Sequence, residues 1–157
     1  LRRPVHVDDD VIAPDFAFQS TRGQYDSRKL LGALQSRRSA RGASADAVLG
    51  IADVDLFASI FTFVFGEAHL GGTTGVVSLH RLRPEMYGLA PDPDLLSRRL
   101  LTECVHEIGH LLGAIHCQNP ECVMKFSGAV EEIDLKLPRP CELCEVHFRP
   151  PGISPVS

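Results

Sequence analysis

The sequence predicts a single α/β domain. Apolar runs with strand character occupy residues 48–54 and 76–82, residues 26–38 and 95–112 carry apolar side chains at helical spacing, and four of the five cysteines cluster after the longer helix. A chain of 157 residues is one domain long, and with 44% hydrophobic and 23% charged residues it holds enough apolar material for an ordinary core rather than a disordered state.

Taken in order, residues 4–7 read as a possible strand before the acidic cluster Asp8, Asp9 and Asp10. Leu30, Leu31 and Leu34 mark a first helix, capped at Asp26 or Ser27 and ending near Arg38, with residues 39–45 as a surface loop. Residues 48–54 form a covered strand closed by Asp53 and Asp55. Phe57, Phe61, Phe63 and Phe65 fit a short helical turn running into a strand. After the glycines at 66, 71, 72 and 75, residues 76–82 alternate as a strand, and Ser78, His80 and Arg81 fit an exposed edge. Asp94 caps the long helix, whose core face is Leu96, Leu100, Leu101, Cys104, Val105, Ile108, Leu111 and Leu112. Gly113 ends it, and only residues 129–137 offer a further weak helix.

The long helix carries the chemistry. His106 and His110 are four apart, so both rings leave one face and can share a zinc ion, while Glu107 stands beside them where it can take a proton from a zinc-bound water. Gly113 lets the chain turn back, so that His116 arrives as a third nitrogen ligand and a fourth position stays open. The second constellation is cysteine. Four residues separate Cys117 from Cys122, two separate Cys141 from Cys144, and eighteen lie between the pairs, a spacing that can present four thiolates to a structural zinc ion. A disulfide and an iron–sulfur cluster are the alternatives; short-spaced pairs favour reduced thiolates and hence a cytoplasmic protein. Cys104 reads as a buried small hydrophobe.

Together, the extended histidine motif, Cys117, Cys122, Met124, Cys141 and Cys144 resemble the archaemetzincin family of zinc metallopeptidases, in the metzincin clan. Residues 22–25, 65–68 and 78–83 also look like family segments. The resemblance implies a metzincin-like zincin domain: a twisted mixed sheet with an edge strand (residues 76–82) above the cleft, an active-site helix and a small C-terminal subdomain. It divides the chain into an upper part, 1–113, and a zinc-stabilised part, 114–157. It implies two zinc ions per chain, one held by His106, His110 and His116, the other by the four paired cysteines. Glu107 is then the general base and Met124 an apolar floor beneath the metal.

The expected function is zinc-dependent peptide-bond hydrolysis, in small peptides or at N-termini, which includes an aminopeptidase. The alternative is a zinc-stabilised protein-binding module with an idle or occluded site. His69, His80 and Tyr87 are candidates for an added substrate or oxyanion contact. Nucleic acid is not an expected partner: the net charge is -4, and Lys125, Lys136 and Arg139 are balanced by Glu131, Glu132 and Asp134. Nor is a membrane, since the most apolar run, residues 56–66, is too short to span one.

Overall fold

The computed structural model describes residues 5–42 and 47–149. Strands β1 (Phe18–Gln19), β2 (Gln24–Asp26) and β4 (Leu56–Phe57) make a small sheet in the order β1-β2-β4. The principal sheet contains β3 (Val48–Ala52), β5 (Gly66–Ala68) and β6 (Thr74–Ser78), ordered β3-β6-β5, with β3 parallel and β5 antiparallel to β6.

Two long helices cover that sheet. Helix α1 (Ser27–Ala40) begins where Asp26 accepts a hydrogen bond from the Arg28 amide. Its Leu30 and Leu31 join Ala17, Leu56 and Val76 in one buried cluster. Helix α2 (Pro93–Leu111) lies against β5 and β6, where Phe65, Val77 and Leu82 meet Val130 and Ile133 of the short helix α3 (Val130–Asp134). Below α2, Val105 packs on Ala114, Val123 and Met124. A last helix, α4 (Glu142–Phe148), carries Cys144.

Several expectations change. The strand at residues 76–82 is not the exposed edge: β6 spans Thr74–Ser78, sits mid-sheet and is buried throughout, while His80–Leu82 form a 3-10 turn. Its polar residues are satisfied internally, Ser78 donating to the Val54 carbonyl at 2.6 Å, so polarity did not signal solvent. The edge on that side is β5. Residues 57–65 form no helix, only a single turn closed by the Phe61 amide on the Ala58 carbonyl at 2.9 Å, and Leu56 bridges to Val64 across it. Asp92, not Asp94, caps α2, because Pro93 and Asp94 already lie in its first turn and the Leu95 amide bonds to Asp92 at 2.9 Å. Val5, His6 and Val7 form no strand, and Pro4 lies outside the described residues, as do residues 43–45 of the expected loop. Helix α1 runs two residues beyond Arg38, α3 covers only part of 129–137, and α4 carried no helical pattern that stood out. Gly113 does adopt the left-handed conformation, φ 89°, that turns the chain after α2.

Candidate zinc centres and cleft

The far side of α2 is not a solvated face. Glu103, His106 and Glu107 are buried with the apolar residues, because the segment after Gly113 folds back beneath the helix. His106, His110 and His116 each bring a ring nitrogen within 4.8 Å of the others, two from successive turns of α2 and one from the returning chain. His106 Nδ1 lies 2.7 Å from the Val123 carbonyl and His110 Nδ1 2.8 Å from that of Ala114. A carbonyl can only accept, so each Nδ1 carries the proton and each Nε2 is a lone pair. These two Nε2 atoms face each other at 3.0 Å. Two lone pairs at that separation repel unless a cation lies between them, and three imidazole donors are a set that zinc takes. Burial, reinforced by the Lys136 charge, depresses His106 to about 3, and burial lowers His110 and His116 too. Neutral rings are the ligating form.

Glu107 is 3% exposed, and its Oε2 makes no hydrogen bond. Burial first, then the carboxylates of Glu103 and Glu67, push its carboxyl well above the ordinary range. The backbone of β5 approaches it so closely that a Cβ on Gly66 would lie 2.7 Å from Oε1. The cleft enclosing these groups has a volume of about 490 Å³, with β5, Phe61, Phe63, Phe126 and Ser127 along its walls. Met124 is fully buried beneath α2, its sulfur pressed under Gly109.

The sulfurs of Cys117, Cys122, Cys141 and Cys144 converge within 4.8 Å, an arrangement that suits one shared cation better than two separate disulfides. Amides point at them: Asn119 N to Cys117 Sγ at 3.4 Å and Cys141 N to Cys122 Sγ at 3.3 Å. The Cys144 amide holds the Cys141 thiol down at about 7. Four sulfurs with amide donors suit a soft, tetrahedral cation. Cys104 instead packs against the Phe65 cluster, where burial pushes its thiol up to about 11.

His69, His80 and Tyr87 do not line the cleft: His69 contacts Thr74, His80 lies in the 3-10 turn and Tyr87 donates to the Arg81 carbonyl at 2.7 Å. Sequence reasoning missed Gly66, Phe126, Ser127 and Lys136. Phe126 and Ser127 could have been found from their place just after Met124; nothing in the spacing flagged Gly66 or Lys136.

The sequence profile of peptidase family M54 matches residues 5–149. The archaemetzincin of Methanocaldococcus jannaschii is 45% identical over 140 residues, covering 89% of this chain and 74% of that one. Among solved structures, a zinc-dependent peptidase from Methanocorpusculum labreanum superposes with a TM-score of 0.84 at 32% identity, over 91% of this chain and 83% of that chain. The Methanopyrus kandleri archaemetzincin gives 0.73 at 40% identity, over 87% of this chain and 71% of that one. The matched span takes in the histidine triad, Glu107 and all four converging cysteines, and the fold agrees along with the sequence: this chain belongs to the archaemetzincin family of zinc metallopeptidases.

Proposed function

We propose that the chain hydrolyses peptide bonds at the cleft beside α2, with zinc held by His106, His110 and His116 and Glu107 as the general base. The observation that carries this reading is the pair of Nε2 lone pairs facing each other at 3.0 Å above a buried carboxylate that has one unpartnered oxygen. When bound, zinc supplies a Lewis acid that polarises a carbonyl and acidifies water.

The chain's own residues do the rest. The Val123 and Ala114 carbonyls fix the His106 and His110 rings with their Nε2 atoms toward the site. Glu107 Oε2 accepts the proton of the attacking water; a carboxyl raised by burial can hold that proton and return it to the leaving amine. Strand β5 pairs with β6 on one side only, so its other edge can bind an extended peptide through main-chain hydrogen bonds. A volume of about 490 Å³ suits a few residues, which supports short peptides or chain ends as substrates, aminopeptidase action included. Met124 floors the site. The four cysteines hold a second, structural zinc, and the described residues from 114 to 149 form a subdomain under the described part of the chain before Ala114. The free thiols support a reducing, cytoplasmic setting.

Glu107→Gln is the test. The variant keeps two zinc ions by elemental analysis and loses peptide hydrolysis by about a hundredfold or more, the scale of a general base. Retained hydrolysis rejects the assignment of Glu107, and wild-type protein with two zinc ions and no cleavage of any unblocked peptide favours the idle binding module instead.

A further inference from the structure

The reaction leaves one wall of the cleft unused. Glu103 stands one turn before Glu107 on the same side of α2 and lines the cleft, although the residue is only 4% exposed. Lys136 meets it from beyond α3: the lysine side chain is fully buried, with Nζ 3.3 Å from Glu103 Oε1. Lys136 balances the Glu103 charge, so this part of the wall is polar without a net charge of its own, while Glu67 and Glu107 lie elsewhere along the cleft. Ser127 lines the same cleft, and its Oγ is buried without a hydrogen-bond partner. A buried hydroxyl left unpaired calls for an explanation, and an absent ligand is one. Aromatic rings complete the enclosure. Phe126 packs against His116 and Phe61, while Phe63 stands edge-on to Phe65.

Resting on the peptidase reading above, we propose that Glu103 and Ser127 form a subsite for the side chain of a residue flanking the scissile bond, and that the side chain it takes is uncharged and hydrogen-bonding: the amide of glutamine or the phenol of tyrosine. Glu103 accepts from such a group and Ser127 Oγ donates to it or accepts from it, while the aromatic walls cover its stem. At this part of the wall the pairing disfavours the other classes. A lysine or arginine would add a second cation to a carboxylate that Lys136 already neutralises, and an acidic side chain would face Glu103. An apolar side chain of equal length would strip water from Glu103 and leave Ser127 unpaired. Sites built to hydrogen-bond a substrate discriminate strongly against its apolar isostere.

The experiment uses peptides that differ only at one or other residue flanking the scissile bond, in the isosteric pairs glutamine and methionine, tyrosine and phenylalanine, with lysine and glutamate added. Two readouts are taken on zinc-loaded protein: kcat/KM with the wild type, and Kd by fluorescence anisotropy with Glu107→Gln, which binds without turnover. At one of the two positions glutamine exceeds methionine and tyrosine exceeds phenylalanine by about tenfold or more in both readouts, with lysine and glutamate below glutamine. Ser127→Ala and the double variant Glu103→Leu with Lys136→Met, which removes the pair without orphaning either charge, each bring those ratios toward one. Binding of methionine and phenylalanine equal to or tighter than their partners overturns the subsite, as does a glutamine preference that survives both variants. A preference seen in binding with no turnover by the wild type upholds the subsite and removes the peptidase reading.

Discussion

A methyl group at Gly109 would sit 2.3 Å from Met124 Sδ and 2.8 Å from Phe148 Cζ, so the helix has no room for alanine there. Alanine is the better helix former by about 1 kcal/mol, and on an exposed face it would stabilise. Here overpacking prevails: Gly109→Ala lowers the unfolding free energy by about 1–3 kcal/mol, read by denaturant titration, whereas a stabilised variant would mean that Met124 moves freely. Gly66 is the matching case on the opposite side of the cleft, where a Cβ would meet both Glu107 Oε1 and, at 2.8 Å, the Val76 carbonyl. Neither glycine needs an unusual backbone angle. Each is required for close approach, a reason invisible until the neighbour from a distant segment is in place.

At the scale of the element, α2 decides most of the chemistry. Its histidines are neutral in the fold, and the sign of their linkage to pH follows. Burial holds His106 near 3 against an ordinary 6.5, so between those values the unfolded chain binds more protons and stability falls as pH falls. The contribution is complete above 6.5 and lost toward 3. Urea midpoints of the metal-free protein should therefore decline on acidification through that window, less steeply in His106→Gln; parallel slopes would show that His106 is not the group responsible.

The same helix shows what a sequence can disclose. His106 and His110 were legible because helical geometry converts their spacing into a shared face, and His116 because a glycine at 113 can turn the chain back toward them. The burial of the polar side of α2 was not legible, because amphipathicity reports which residues are apolar, not whether a later segment returns to cover the others. Glu103, for example, is buried with Lys136, 33 residues away, as its ion-pair partner. Strand β6 failed for a related reason: alternation cannot distinguish solvent from a hydrogen-bonding neighbour, and Ser78 has the latter.

The molecule as a whole depends on how the chain after Gly113 is held. Arg99 ties α2 to α3 through two bonds to Asp134, at 2.8 and 2.6 Å, and reaches the Leu82 carbonyl at 2.9 Å. Beyond α3 few apolar side chains are buried; Leu137, Leu143 and Val146 are exposed. On the proposed reading, a zinc ion shared by the four sulfurs supplies what a core does not. Replacing Cys141 and Cys144 with Ser should remove one zinc per chain and lower the melting temperature, by calorimetry alongside elemental analysis. Unchanged metal content and melting would refute a structural zinc there. Activity should fall with it, because His116 adjoins Cys117.

The acceptors that orient His106 and His110 are the peptide oxygens of Val123 and Ala114. No replacement of a side chain at positions 114 or 123 deletes an oxygen of the main chain. Substitutions there act only by displacing the backbone, so ring orientation can persist through drift at those two sites, and a survey of sequence variants would underrate both.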